Sequence, residues 1–258
     1  MSVVGYPTPG KGKAKQLVGA FCEGAGGKLV EQIPEQLLPG AAVFYGVTAA
    51  TVHLWRQAKA EGREWYYIDN AYFDVCRDKY FRVTRCRLQH DGRGTSDGKR
   101  FRRLGIPVQP WRGAGEHLLV VPQSDEFMRV CAGYPGSWLE DVLHDLRVDT
   151  KRELRVRPWS RDKKAWYATL PADLDRCHLL VTYSSAAAIS ALLAGVPAIV
   201  DSRDSIAWPM STQNDGLETP RRPEGREAWA AVVADRQWTI EEMRSGLAWE
   251  MLQETALA

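Results

Sequence analysis

The segment most suited to chemistry is L-L-V-T-Y-S-S-A-A-A-I-S-A-L-L-A-G-V-P-A-I-V-D, residues 179–201. An apolar strand ends at Tyr183, meets Ser184 and Ser185, and gives way to an alanine-rich helix. The first turn of a helix carries backbone N–H groups without partners and the positive end of the helix dipole. Two hydroxyl donors stand beside that turn, and Ala186, Ala187 and Ala188 leave room for a bulky anion. This combination suits a phosphate or pyrophosphate. The same residues also describe a capped helix in a buried α/β unit that binds nothing. Asp201, at the end of the next strand, is placed to take a ribose or sugar hydroxyl, or simply to cap.

Two residues could move a proton. Asp69 ends the strand-like run W-Y-Y-I-D. Carboxyl ends of parallel strands line the ligand crevice in open α/β sheets. A carboxylate there can accept the proton of an attacking hydroxyl. The competing role is a turn cap made by Asp69 with Asn70. His90 is a second candidate base or an acceptor contact, against a plain role as a partly exposed polar residue.

A third feature is basic. Between Arg77 and Arg112 stand eleven Lys or Arg and three Asp, a local balance of +8 in a chain whose net charge is only +2. Arg82, Arg85, Arg87, Arg100, Arg102 and Arg103 are interleaved with Tyr80, Phe81, Phe101 and Trp111. Basic groups can follow a phosphate backbone while aromatic rings stack on bases. The alternative is a solvated basic loop, paired with the acidic C-terminal helix.

The bulk composition bounds these readings. The 258 residues, 45% hydrophobic and 26% charged, suit one large or two small globular domains. No apolar run reaches the length of a membrane span. The start, MSVVGYPTPGKGKAK, lacks the apolar stretch of a signal peptide, so a cytoplasmic protein without a membrane partner is expected. Five cysteines, at 22, 76, 86, 131 and 177, show no CxxC spacing. Five histidines show no HxxxH or HExxH pattern. Neither a metal site nor a disulfide framework is expected. No pattern sets the oligomeric state.

The elements that must position these residues alternate. Residues 1–15 read as a loop-forming start and 14–24 as a helix with Leu17, Val18, Phe21 and Cys22 on one face. Residues 41–47 read as a buried strand, 49–61 as a helix stopped by Gly62, and 65–69 and 80–86 as strands. Residues 91–98 are Gly- and Arg-rich and read as a mobile loop. Strands follow at 117–123, 153–159, 179–183 and 197–201, with helices at 137–148 and 185–194. Ser137 is the expected N-cap of the first helix, with Glu140 at capping-box spacing. A last helix spans 240–252 after Thr239, and Trp238 and Trp249 are expected to pin it. The alternation predicts an α/β protein with mainly parallel sheets in two lobes. The expected domains are 1–113 and 114–236, with residues 237–258 crossing back to the first.

The run from the two serines through A-L-L-A-G-V-P to the next strand resembles the donor-binding half of GT-B glycosyltransferases, which have two facing Rossmann-like lobes. The segment Arg155-Val156-Arg157-Pro158-Trp159-Ser160 resembles the R-P-H-P element of capsule-type glycosyltransferases, with Trp159 in the histidine's place. Arg155 and Arg157 share one face of a strand, and a guanidinium fork matches phosphate oxygens; a surface salt bridge is the alternative for each. Three further blocks, Y-Y-I-D-N-A-Y-F (66–73), K-Y-F-R-V-T-R-C-R-L-Q-H (79–90) and R-Q-W-T-I-E-E-M-R-S-G-L-A-W (236–249), resemble phage-encoded glycosyltransferase-like proteins. The departures are Asn70-Ala71, where a pair such as His-Gly would stand, and Cys86, where a polar residue would.

The resemblance implies transfer of a sugar from a nucleotide diphosphate sugar to a hydroxyl, without a cofactor or bound metal. Arg155, Arg157, Tyr183, Ser184, Ser185, Ala186 and Asp201 would hold the donor, and Asp69, with His90, would handle the proton. The implied acceptor is a 5-hydroxymethylated base in double-stranded phage DNA. Other readings stay open: transfer to a glycan or small molecule, a nucleic-acid-binding module without catalysis, or another enzyme using the same phosphate cradle.

Overall fold

The computed structural model describes residues 2–73, 79–212 and 216–254. Arg77 and Cys76 lie outside the described residues. The chain divides into two compact units, one formed by residues 1–88 and 236–258 and the other by 89–235. The first division falls after Leu88, whereas the composition change that set the expected boundary lies at 113/114.

The first unit is built on β1 (Val3–Gly5), α1 (Gly12–Gly24), β2 (Lys28–Leu29), β3 (Ala41–Tyr45), α2 (Val52–Ala60), β4 (Trp65–Asn70) and β5 (Phe81–Arg85). Its chain end and the second unit follow the order α3 (Lys99–Leu104), β6 (His117–Val121), α4 (Asp125–Phe127), α5 (Trp138–Asp149), β7 (Glu153–Val156), α6 (Lys163–Asp173), β8 (Cys177–Thr182), α7 (Ala187–Leu193), β9 (Ala198–Val200), α8 (Arg226–Ala234), β10 (Gln237–Trp238), α9 (Ile240–Arg244) and α10 (Leu247–Glu254). The strand order is β10-β5-β4-β3-β1-β2 in the first unit and β7-β6-β8-β9 in the second.

The second sheet is parallel throughout. In the first, β1 to β4 are parallel, but β5 runs antiparallel to β4 and β10 antiparallel to β5. A parallel partner needs a crossover of a dozen or more residues, and only ten residues separate β4 from β5.

The expected loop at the start of the chain is corrected: Val3–Gly5 is a buried strand inside the first sheet, between β2 and β3. Three residues are too few to show a period, so the sequence carries little trace of it. Likewise α3 forms within the basic stretch, and α6 and α8 are helices that the sequence pattern does not announce. In α6, Pro171 stands inside the helix and weakens its signature.

Residues 236–254 pack in the first unit. Trp249 lies against Tyr66 and Phe21, with ring centroids 5.2 and 6.1 Å apart. The expected single terminal helix is two, α9 and α10, parted at Gly246, whose φ of 90° only glycine adopts readily. Gly24 meets that junction so closely that a Cβ would fall 2.0 Å from the Met243 carbonyl oxygen. Buried Phe21, Tyr66, Ile68, Trp238 and Met243 share the first core, and Leu118, Val120, Trp138, Leu179 and Val181 share the second. Among the described residues, no helix is long and apolar enough to cross a membrane.

Candidate functional site

In the second unit the chain steps from β6 to β7 on one side, then returns to lay β8 on the other side of β6. The carboxyl ends of β6 and β8 therefore form a topological switch point, where open α/β sheets bind ligands. Gln123 and Ser124 follow β6 there, and Tyr183, Ser184, Ser185 and Ala186 follow β8.

This loop is closely bonded within the chain. With its amide turned to satisfy every group, the Gln123 oxygen accepts from Ser184 Oγ at 2.8 Å and from the Ser185 N–H at 2.9 Å. The Ser185 N–H also lies 3.2 Å from Thr182 Oγ1, and the Ala187 N–H donates to Ser185 Oγ at 3.3 Å. Buried Gln89 donates to the Ser184 carbonyl at 2.7 Å and accepts from the Ile206 N–H at 3.2 Å, tying the turns after β8 and β9 together. The sequence singled out neither glutamine. Their partners lie 61 and 95 residues away, so no local pattern could show them.

Asp201 follows β9 and accepts from Trp138 Nε1 at 2.6 Å. Loss of surrounding water pushes its pKa up; the Trp138 hydrogen bond opposes this, and the charge of Asp145 adds to it. Tyr183 packs edge-on against Tyr134 and Trp138, with centroids 6.4 Å apart in each case. Burial raises the Tyr183 pKa in turn.

The two arginines expected to act alike are placed differently. Arg155 lies on the exposed edge strand β7 and is paired with Glu153 at 2.8 Å. Arg157 lies beyond the end of β7, where its guanidinium donates to Asp173, to the Trp166 carbonyl and to Thr169 and lies over the Trp166 ring. Trp166 in turn donates to the Pro158 carbonyl at 2.8 Å. Arg157 thus fastens the turn after β7 to α6.

In the first unit, Asp69 is at the carboxyl end of β4. Its carboxylate accepts from Arg82 at 2.5 Å, from Tyr67 Oη at 3.2 Å and from the Asn70 N–H at 2.7 Å. Arg82 is buried, with its guanidinium over Tyr72 at 5.3 Å. Arg85 pairs with Glu64 at 2.8 Å.

His90 belongs to the second unit. Its Nδ1 accepts from the Gly92 N–H at 3.1 Å and lies 3.3 Å from Asp91 Oδ1. Gly92 is buried, and a Cβ there would fall 2.2 Å from the Ile206 carbonyl oxygen, so part of the expected loop is packed rather than open. Arg100 approaches Asp235 at 3.9 Å, and Arg102 donates to the Asp97 carbonyl at 3.1 Å. Arg87, Arg102 and Arg103 are exposed. Of the six basic residues singled out, Arg82, Arg85 and Arg100 therefore direct charge into the protein, and the other three carry theirs at the surface. Among the described residues no cluster of His, Cys, Asp or Glu could hold a metal ion.

No protein-family model matches the chain, and no curated protein matches it in sequence. Its fold is similar to two solved structures from Thermosulfurimonas dismutans. The KpsC beta Kdo 2,4 transferase is 13% identical at a TM-score of 0.54, with 89% of each chain covered. The KpsC beta Kdo 2,7 transferase is 10% identical at a TM-score of 0.54, covering 97% of this chain and 99% of that one. At such identities the likeness is one of fold: an α/β architecture with two mainly parallel sheets, of the two-lobed GT-B-like kind.

Proposed function

We propose that this protein is a glycosyltransferase that moves a sugar from a nucleotide sugar donor to a hydroxyl acceptor. The observation that carries the reading is the similarity of fold, over 89% or more of the chain, to two structures described as Kdo transferases. The switch-point loop between β6 and β8 supports it, because this is where an α/β sheet offers backbone and hydroxyl donors to a ligand.

In this reading the donor is a nucleotide diphosphate sugar. Ser184, Ser185, Ala186 and Tyr183 bind its diphosphate beside Arg155, Asp201 takes a ribose or sugar hydroxyl, and donors placed at the phosphate stabilise the leaving group's growing charge. Gln123 must swing away from the Ser185 N–H before a phosphate oxygen can replace it. Arg157 acts at one remove, by fixing the turn that follows the strand carrying Arg155. Asp69 is the base, held in place by Arg82, and His90 is an acceptor contact.

For the acceptor, a hydroxymethylated base in phage duplex DNA is favoured by one feature, the exposed Arg102 and Arg103 beside Lys99 on α3. Such a base would have to be reached in a groove or flipped out. A glycan hydroxyl is the rival acceptor, and the fold likeness to Kdo transferases favours it.

The test is a thermal-shift and transfer assay with UDP, GDP and CMP sugars, with and without hydroxymethylated DNA. Ligands of the folded state raise Tm by mass action. A rise with one sugar nucleotide, weakened in Arg155→Ala, is expected. A further rise with DNA that fades in salt supports the DNA acceptor. No response to any sugar nucleotide at millimolar concentration, together with no transfer product, overturns the proposal.

A further inference from the structure

A cavity of about 410 Å³ lies in the second unit between α5 and the β8–β9 side of the sheet. Its floor is apolar, formed by buried Leu146, Val181, Ile199 and Leu217. Tyr134 and Trp138 form one wall. The remaining polar lining is acidic apart from His144, with Asp141, Asp145 and Asp149 on successive turns of α5 and Asp201 from the end of β9. Among the described residues no lysine or arginine lines it.

Each part of this lining selects against something. Phosphates and carboxylates are repelled by four carboxyl groups without a basic residue in the lining. A bare metal ion has no place, since the described residues bring no three acidic or imidazole ligands together. A purely apolar ligand would strip water from Asp201 without replacing it. What remains is an organic body with a positive charge: the body covers the floor, and the charge meets the rim.

We infer that this cavity binds a protonated amine carried on a small organic body, such as an amino sugar, through Asp201 and Asp145. Trp138 Nε1 occupies one oxygen of Asp201, and among the described residues that carboxyl has no cationic partner. Asp201 is exposed to solvent, yet partial desolvation and the neighbouring charge of Asp145 disfavour its ionised form, and an ammonium group relieves both. Tyr134, whose hydroxyl donates to Asp141 at 2.9 Å, adds an aromatic ring to the same lining. The cavity shares Asp201 with the proposed donor site, but the inference stands on the cavity's own geometry and does not depend on the transferase reading.

The probes are glucosamine and its uncharged counterpart N-acetylglucosamine, titrated into the full chain at low ionic strength by calorimetry and thermal shift. Glucosamine is expected to bind and raise Tm, and N-acetylglucosamine to do neither. Asp201→Asn and Asp145→Asn, which keep side-chain shape, should each weaken glucosamine by about tenfold. Glu227→Gln, on α8 and outside the cavity, should leave it unchanged. Equal binding of the two sugars, undiminished binding in both Asp variants, or an equal loss in Glu227→Gln would each overturn the assignment.

Discussion

Asp69 and Arg82 face each other directly across the antiparallel β4–β5 pair, with Arg82 Nη2 2.5 Å from Asp69 Oδ2. The side chains are 28% and 10% exposed, so the pair is only partly screened. The sequence separated them into two roles, a base and a nucleic-acid contact; the register joins them. Removing one partner of a buried pair strands the other's charge. Arg82→Leu should therefore cost about 2–3 kcal/mol, below the full buried-pair figure because Asp69 keeps some water. Urea unfolding of Arg82→Leu, Asp69→Asn and the double variant should show less than additive losses. Additive losses would mean that the pair is not coupled.

His178 gives the chain an acid-sensitive point. It is buried in β8, its Nδ1 accepts from the Gly115 N–H at 3.2 Å, and its Nε2 lies 2.9 Å from the Leu217 carbonyl. That arrangement needs the neutral ring, and burial lowers the folded pKa from the ordinary 6.5. Above 6.5 both states are neutral and the group adds no pH dependence. As pH falls below 6.5 the unfolded chain takes the proton first, so stability drops until the folded pKa is passed. Unfolding at about pH 7.5 and about pH 5.5, on either side of the ordinary histidine pKa, should show a larger loss for the parent protein than for His178→Gln. Equal losses would remove His178 from the account.

How much of this was readable beforehand differs between elements and sites. Long apolar or amphipathic runs such as β4, β8 and α5 carry their own period, and Ser137 and Thr239 announce helix starts; the structure has them. Val3–Gly5 is too short for a period, and β5 takes its direction from a short connection rather than from its own residues. The candidate site was legible only where a turn brings its residues together, as at Ser184 and Ser185. Gln89, Gln123 and Trp138 reach their partners across 95, 61 and 63 residues, and the pairing of Asp69 with Arg82 depends on strand register. Spacing alone also treated Arg155 and Arg157 as equals, because a period of two does not show where a strand ends.

Thr239 and Glu242 form a reciprocal capping box at the start of α9. Thr239 Oγ1 accepts from the Glu242 N–H at 3.2 Å, and the Glu242 carboxylate accepts from the Thr239 N–H at 2.8 Å. Thr239→Ala should destabilise the protein by about 1 kcal/mol, and Thr239→Ser should restore most of it. Chemical denaturation reads both. An unchanged midpoint in Thr239→Ala would show that α9 is held by packing alone.

The cysteines should separate by reactivity. Burial pushes the Cys22 thiol up to about 12 and Cys177 up to about 11, so neither forms a thiolate near neutral pH. Cys86 is exposed. With a disulfide reagent at about pH 8, near the ordinary thiol pKa, Cys86 should react in the native protein, and Cys22 and Cys177 only after denaturant is added. Peptide mapping of the labelled protein assigns the sites, and native labelling of Cys177 would contradict its placement in β8.

Arg155 and Arg157 should part most clearly under mutation. Arg155 sits on an edge strand and its partner Glu153 is exposed, so Arg155→Ala should leave the unfolding midpoint almost unchanged. Arg157 has a side chain 10% exposed and serves Asp173, the Trp166 carbonyl and Thr169. Arg157→Ala removes those bonds and the packing over Trp166, and should cost about 3 kcal/mol. Lysine cannot reproduce the fork, so Arg157→Lys should recover little of the loss. The readout that separates stability from ligand contact is sugar-nucleotide affinity at a temperature where both variants stay folded. Arg155→Ala should weaken binding without a stability change. If only Arg157→Ala weakens it, after correction for the unfolded fraction, the phosphate contact belongs to Arg157 and the assignment of roles to the two arginines is reversed.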